Sequence, residues 1–210
     1  MHEKAIQHLT SADKVLARVI EQNGPCRLRV NRKQSPFEAL VEAVAHQQLT
    51  GKAAQTILGR VKALHGHRDF PTPEDLIATP DEQLRVAGLS RAKTASVKDI
   101  AAKTLEGIVP DTKEISKLDD EDIIERLTVI RGVGRWTVEM LLIFKLGRPD
   151  VLPVDDYGVR KGFGVAYRKR GLPKPALLLA HGERWRPHRS VAAWYMWRAL
   201  EFDRNSRNGD

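Results

Sequence analysis

Two adjacent carboxylates are the side chains in this sequence best suited to chemistry. Asp155 and Asp156 follow a short apolar piece, 151–154, and precede a segment with helical spacing. A carboxylate at the start of a helix can accept hydrogen bonds from the first N–H groups. A carboxylate that faces a cavity can instead stabilise growing positive charge or take a proton from water. For adjacent aspartates alone, capping and solvation are the commoner roles, so the pair needs support from a second motif.

That second motif is the stretch 127–137, which reads Leu-Thr-Val-Ile-Arg-Gly-Val-Gly-Arg-Trp-Thr. An amphipathic helix is predicted to end at Ile130, and a largely apolar helix begins directly after the second glycine. Gly132 and Gly134 permit a tight hairpin whose backbone approaches another surface closely. We expect Val133 to anchor the hairpin inwards. The amides of 133–135 should point outwards at the start of the second helix, where a phosphate could bind.

The residues around the two glycines favour nucleic acid over a plain corner between helices. Arg131 and Arg135 place positive charge on both sides of the hairpin, which a purely structural corner does not need. Trp136 could stack on a base. Because Trp136, Met140 and Phe144 share one helical face, a stripe of core residues remains the alternative for these three.

The elements that must position these residues are helical nearly throughout. No segment shows alternation convincing enough for a sheet, so the fold class is expected to be all-α. Helices are predicted over roughly 6–23, 36–46, 51–64, 92–106, 120–130 and 190–200, with short ones starting after the Thr-Pro pairs at Thr72 and Thr79.

Composition narrows the class of protein. The 210 residues suffice for one large domain or two small ones. A formal net charge of +8 should attract polyanions, of which nucleic acid is the commonest, although a well-solvated basic surface explains it too. The single cysteine, Cys26, excludes an internal disulfide, a thiolate zinc site and an iron–sulfur cluster. His65 and His67 share one loop without acidic company, so we expect them to face solvent and predict no metal site.

Targeting signals are not evident either. The chain starts with a polar segment, and its longest apolar stretch, around 140–144, is far too short to span a bilayer. We therefore expect an intracellular protein that contacts no membrane, in the cytoplasm or nucleoid, or in the nucleus if the source is eukaryotic.

The hairpin stretch and the segment Pro-Val-Asp-Asp-Tyr from Pro153 together resemble the helix-hairpin-helix DNA glycosylase superfamily. Within it the chain is most similar to the 3-methyladenine DNA glycosylase II group. The segment 46–50 is similar to the part that wedges into DNA and borders the base pocket, and 183–197 is similar to the C-terminal helix region. The resemblance covers roughly 35–200 and is most specific over 127–157.

The resemblance implies two helical subdomains with the active cleft between them. Subdomain A would comprise about 1–36 and 145–210, and subdomain B about 37–144, with the helix-hairpin-helix at 121–146. Longer bacterial members carry an extra β-rich N-terminal domain, for which this chain has no room. Their N-terminal contacts are therefore not transferred.

The implied activity is that of a monofunctional glycosylase, which flips an alkylated base of the 3-methyladenine or 7-methylguanine type out of the duplex and hydrolyses its N-glycosidic bond. A π-rich pocket would suit a cationic base. The residues expected to form the base pocket are Trp136, Met140, Tyr157, Trp197, Gln47 and Gln48. The residues expected to contact DNA are Gln48, Leu49, Arg131, Gly132, Val133, Gly134, Arg135, Thr137 and Arg189.

We expect Asp156 to be the catalytic carboxylate, with Asp155 as the runner-up. Asp155 is better placed as the helix cap. Asp156 would then begin the helix, with Val159 three residues later on the same side. The Asp-Tyr pair Asp156-Tyr157 also matches the most similar relatives, whereas a gapless register from Pro153 favours Asp155 in more distant ones.

The expected partner is double-stranded DNA with a damaged base, bound by a monomer. No metal or organic cofactor is required, although the resemblance allows an ion held by hairpin carbonyls. A non-catalytic helix-hairpin-helix module is the main alternative, but it does not explain two carboxylates near a surface that faces DNA. A superfamily glycosylase for other lesions is another; a glycosylase/lyase would carry a Lys where Trp136 stands. A Ser-His-Asp hydrolase using Ser190 and His188 lacks a nucleophile-elbow motif.

Overall fold

The structure, a computed structural model, describes the backbone of residues 2–66 and 69–208 and the side chains of those ranges up to residue 202. Every regular element in these ranges is helical, which confirms the all-α class. In chain order the helices are α1 (Glu3–Ala12), α2 (Lys14–Asn23), α3 (Pro36–His46), α4 (Gly51–Ala63), α5 (Pro73–Ala78), α6 (Asp81–Val86), α7 (Arg91–Leu105), α8 (Thr112–Ile115), α9 (Asp120–Thr128), α10 (Arg135–Leu141), α11 (Tyr157–Ala166), α12 (Pro175–Gly182) and α13 (Arg189–Asn208).

The chain divides into two compact units. Unit 1 is built within Met1–Val30 and Gly147–Asp210, and unit 2 within Asn31–Leu146. The observed boundaries therefore lie at 30/31 and 146/147, close to the boundaries at 36/37 and 144/145 that the sequence predicts. Among the described helices, none combines the length and the apolar content needed to cross a bilayer.

Capping residues explain where several helices begin. Ser35 accepts from the Glu38 N–H (3.2 Å), and its own N–H donates to the Glu38 carboxylate (3.0 Å), so α3 starts with a reciprocal box as predicted. Thr72 and Asp75 form the same box at α5. A helix, α6, also follows the second Thr-Pro pair as predicted, but without a threonine cap, because the buried Thr79 hydroxyl donates to the Asp75 carbonyl (2.7 Å).

The loop between α4 and α5 also differs from expectation. His65 is half-buried and its Nε2 lies 3.2 Å from the Thr79 hydroxyl, so it does not simply face solvent. His67 lies outside the described residues. Elsewhere in the described ranges, no cluster of three or more His, Cys, Asp or Glu side chains could hold a metal ion.

Unit 2 packs around α7, against which α3, α5 and α6 lie, while α10 packs on α3 and α9. Its core is aliphatic, and Leu40, Ile100, Leu127 and Val138 are almost completely buried. The helix α10 continues into one π-helical turn, Leu142–Leu146. The apolar faces of these helices therefore fix the ends of α9 and α10, between which the hairpin lies.

Unit 1 packs α11 against α13, with α2 beside them and α1 beside α2. The core includes Leu16, Phe163, Trp185 and Tyr195. A Cβ at Gly162 would overlap with the Met196 carbonyl, so α11 and α13 approach each other through backbone atoms. This close approach brings side chains of α13 to the start of α11.

Candidate functional site

The start of α11 carries a nearly buried carboxylate. Asp156 is the N-cap of this helix, and its Oδ1 accepts from the Val159 N–H (2.7 Å) and from the Trp197 Nε1–H (2.8 Å). Its exposed fraction is 9%, whereas Asp155 is exposed. Two N–H donors on one oxygen suit an anionic acceptor and hold it in one orientation.

The capping role that the sequence analysis assigned to Asp155 therefore belongs to Asp156. Asp155 is exposed and lies in a turn before the helix, closed by the Asp156 N–H on the Pro153 carbonyl (3.1 Å). Asp156 has the extended backbone of a cap. The argument that Asp155 is the cap is wrong, and the choice of Asp156 as the catalytic group must rest on other grounds.

Gly158 makes room for the indole that binds this carboxylate. A Cβ at Gly158 would lie 2.7 Å from Cδ1 of Trp197 and 3.1 Å from Oδ1 of Asp156. Any larger residue would push Trp197 away from Asp156. Tyr157, the neighbouring aromatic, is 59% exposed and available to a ligand. Unit 1 thus brings three of the predicted site residues together.

The hairpin in unit 2 has the predicted inward anchor. Val133 is buried, but its N–H donates to the Ile130 carbonyl (3.0 Å), so the expectation that this amide points outwards is wrong. Gly132 has a φ of +77°, and a Cβ there would overlap with Ser96, so glycine is required. Gly134 is exposed, and a Cβ there would meet no atom within 4 Å.

The two arginines beside the hairpin are not equivalent. The side chain of Arg131 is exposed, and its backbone N–H donates to Asp99 (2.7 Å). Arg135 donates to both oxygens of Glu121 (3.0 and 2.5 Å) and to Glu139 (3.2 Å). Its hydrogen bonds to Glu121 raise the pKa of Arg135 and lower that of Glu121. Arg135 is therefore not the free cation that the sequence suggested, because two carboxylates balance its charge.

The stripe of Trp136, Met140 and Phe144, which runs from α10 into the π-helical turn, is not a core stripe. Trp136 is 36% exposed and Phe144 39%, and Met140 is partly exposed. The buried face of this helix is made by other residues, among them Val138 and Leu141. Trp136 and Met140 therefore present surface that a ligand could contact.

The turn between α3 and α4 is hydrogen-bonded to the hairpin. The Gln47 amide donates to the Gly132 carbonyl (3.0 Å) and to the Thr137 hydroxyl (3.2 Å). Thr137 is 2% exposed, and its hydroxyl supports the turn; its predicted contact with DNA stays a prediction. Gln48 has a φ of +57°, and Leu49 is 41% exposed, so these two side chains form the exposed tip.

Arg189, another predicted DNA contact, is bound to a carboxylate within unit 1. Its guanidinium donates to both carboxylate oxygens of Asp150 (2.8 and 3.0 Å) and to the Asp150 carbonyl (2.8 Å). The side chain is only 12% exposed. A basic residue at a helix start looks like a phosphate ligand in a sequence, but here it fastens α13 to the segment before the aspartates.

The sequence analysis does not identify two groups of residues that support these elements. Lys93, Ser96 and Asp99 follow each other at steps of three on one face of α7, and they contact the turn after α3 and the hairpin. Their spacing marks a helix face, but nothing in the sequence says what this face packs against.

The second missed group surrounds Asp13 in unit 1. One oxygen caps α2, and the other accepts from Tyr167 (2.6 Å), Trp185 (3.0 Å) and His181 (2.8 Å). Burial opposes ionisation of Asp13, but the hydrogen bonds from His181, Tyr167 and Trp185 outweigh it and hold the pKa of this carboxyl well below its usual range. The partners lie more than 150 positions away, so no local pattern could reveal them.

Comparison with known proteins places these features in a family. Residues 41–187 match the model of the HhH-GPD superfamily base excision DNA repair proteins. The chain is 43% identical over 196 residues to DNA-3-methyladenine glycosylase 1 of Schizosaccharomyces pombe, covering 93% of this chain and 86% of that protein.

Solved structures agree. A 3-methyladenine DNA glycosylase from the same yeast, in complex with abasic DNA, superimposes with a TM-score of 0.86 over 93% of this chain and 95% of that one, at 43% identity. A DNA-3-methyladenine glycosidase from Bacillus halodurans gives 0.83 at 35% identity, over 96% and 91%. The chain belongs to the HhH-GPD superfamily of base excision DNA repair proteins.

Proposed function

We propose that this protein is a monofunctional DNA glycosylase of base excision repair that releases alkylated bases of the 3-methyladenine and 7-methylguanine type. The observation that carries the proposal is the Asp156 carboxylate, held at the start of α11 by the Val159 amide and the Trp197 indole. An oriented carboxylate stabilises the positive charge that develops on the sugar as the glycosidic bond breaks, and it can take a proton from the attacking water.

The base must leave the duplex before this chemistry can occur. We assign the extrusion step to the exposed tip Gln48-Leu49, which would fill the space the base vacates. We propose that the hairpin binds phosphates through its backbone at the start of α10 and through the exposed Arg131. We assign no phosphate contact to Arg135, because its side chain is bound to Glu121 and Glu139.

The choice of lesion follows from the exposed aromatic side chains. Trp136, Tyr157 and Trp197 remain the candidates for the base pocket, together with Met140. A π face attracts a cationic ring, and an alkylated cationic base is already a good leaving group that needs little acid assistance. Trp136 stands where a glycosylase/lyase would carry a lysine. Without that amine nucleophile, the reaction stops at an abasic site and forms no Schiff base.

The remaining expectations become parts of the same proposal. The reaction draws on a carboxylate and water, so we assign no cofactor to it. The substrate is damaged double-stranded DNA, bound by a monomer inside the cell.

The decisive experiment measures base release from a panel of duplexes, each with one lesion, with and without alkali treatment. We expect strand breaks only after alkali, and only at alkylated bases. Asp156→Asn serves as the matched inactive control. Release from no lesion by the wild-type protein, with binding to DNA intact, would favour the non-catalytic DNA-binding module instead.

A further inference from the structure

A lysine outside the predicted site binds the turn that follows α3. The Nζ of Lys93 donates to the carbonyls of Ala45 (2.8 Å) and Gln47 (2.7 Å). These carbonyls lie at the C-terminal end of α3, where the last C=O groups of a helix have no partner within it. A cation is favoured at this end of a helix.

The position of Lys93 makes it a fixed donor. It lies in the first turn of α7, whose N-cap Ser90 accepts from the Lys93 N–H (3.3 Å). The side chain is partly buried, and burial lowers the pKa of Lys93. Among the described residues no carboxylate forms an ion pair with it, so carbonyl oxygens alone receive its hydrogen bonds.

The turn that Lys93 holds is strained and exposed. Gln48 adopts a left-handed backbone conformation (φ +57°) that costs energy for a residue with a side chain. A residue keeps such a conformation when the surrounding structure fixes the backbone next to it. Gln47 is fixed twice, since its carbonyl accepts from Lys93 and its amide donates to Gly132 and Thr137. Immediately after this anchor, the Leu49 side chain is 41% exposed.

We propose that Lys93 is a positioning residue that holds the turn 47–50 in the shape needed for Gln48 and Leu49 to enter the duplex. The proposal rests on the proposed function. Lys93 touches neither the base nor the phosphates; it acts through the backbone of Gln47. Without its two hydrogen bonds the Gln48 backbone can relax, and the tip then no longer fills the space left by the extruded base.

The test compares Lys93→Met with Lys98→Met, which removes the same charge from the same helix at a lysine paired with Asp81. Single-turnover base release is measured on a lesion in a fully paired duplex and on the same lesion in a single-nucleotide bulge, where extrusion costs less. We expect Lys93→Met to slow release about tenfold to a hundredfold on the paired duplex and much less on the bulge. Lys98→Met should match the wild type on both.

Two further measurements separate positioning from other roles. If Lys93 contacted a phosphate, its removal would lower the slope of log affinity against log salt by about one unit; we expect an unchanged slope. Lys93→Arg, which keeps two donors, should retain most activity. Should Lys93→Met fail to fold, Lys93→Leu, which has no donor, should show the same preference for the bulge.

Equal losses on both substrates, a reduced salt slope, or rates equal to those of Lys98→Met would overturn the positioning role. Absence of base release by the wild-type protein would instead refute the proposed function, so the two failures can be told apart.

Discussion

At the scale of single residues, the carboxylate at the start of α11 combines two tasks. Asp156 caps the helix and receives the Trp197 indole, so its orientation is set by backbone and side chain together. An asparagine can keep both hydrogen bonds because its Oδ1 is also an acceptor. Charge can therefore be removed at this position without removing the cap.

We predict that Asp156→Asn folds, binds lesion DNA and loses base release by about a hundredfold or more, because a neutral amide cannot balance the charge on the sugar. Single-turnover rates and melting temperatures of Asp156→Asn and Asp155→Asn are the measurement. The exposed Asp155 is the matched control, and its variant should be close to wild type. An inactive Asp155→Asn beside an active Asp156→Asn would reverse the assignment.

Trp197→Phe tests the second donor on the same carboxylate. Phenylalanine keeps an aromatic ring but has no N–H, so one hydrogen bond to Asp156 disappears. We expect base release to slow by about tenfold, the effect of removing roughly one hydrogen bond to a charged group. Binding to undamaged DNA should not change. A variant that loses stability and both activities in parallel would indicate a core residue.

At the scale of elements, the hairpin between α9 and α10 contains two glycines with different tasks. Gly132 has a positive φ and lies against Ser96, so the fold requires it. Gly134 has an ordinary φ and open space around it. Only the second glycine can therefore report on binding without disturbing the fold.

Gly134→Leu should fold normally and weaken binding to damaged and undamaged duplexes alike, because its side chain would project from the exposed part of the hairpin that is proposed to bind phosphates. We expect the slope of log affinity against log salt to fall by about one unit for each phosphate that the variant no longer binds. Gly132→Ala serves as the contrast and should lower the melting temperature. Unchanged binding by a folded Gly134→Leu protein would remove the hairpin from the DNA interface.

The helix α10 also decides the type of reaction, since Trp136 lies in its first turn. We predict that borohydride traps no covalent complex between the wild-type protein and lesion DNA, because no amine stands at this position. Gel electrophoresis after reduction is the measurement, with a known glycosylase/lyase as the positive control. A trapped complex would show that another lysine acts as a nucleophile.

At the scale of the whole molecule, distant parts of the chain meet at one buried carboxylate. Asp13 joins α2 to Tyr167, His181 and Trp185, so one residue ties the N-terminal helices to the C-terminal third within unit 1. Removing the charge of a buried, hydrogen-bonded group is costly. Stability and its pH dependence should therefore depend on Asp13 more than on any exposed acid.

Asp13→Asn should lower the free energy of unfolding at pH 7 by about 3 kcal/mol, although asparagine still caps α2. The folded pKa of Asp13 lies below its unfolded value of about 3.9, so its contribution is complete above that pH and is lost as pH falls towards the folded pKa. Denaturant titrations between pH 2 and 7 measure it. The variant should show a flatter acid limb than the wild type, and equal pH profiles would contradict the prediction.

The sequence by itself determined the helical class, most helix starts and the hairpin. These features depend on residues only a few positions apart, and such residues can be identified from their spacing in the sequence. Examples are the reciprocal box of Ser35 and Glu38 and the two glycines of the hairpin. It also singled out the aspartate pair and the aromatic candidates. The relation between Asp155 and Asp156 could not be settled in this way, because one residue of helix phase decides which of them is the cap.

Tertiary structure decided which protein groups the predicted residues contact. Arg135, Arg189 and Thr137 have the residue types of DNA ligands, but packing gave each of them a protein partner. Lys93 and Asp13 became important only through groups far along the chain. The physical reason is the same in each case: a side chain's partner depends on which helices pack together, and that packing is fixed by the summed burial of many apolar residues rather than by any short pattern.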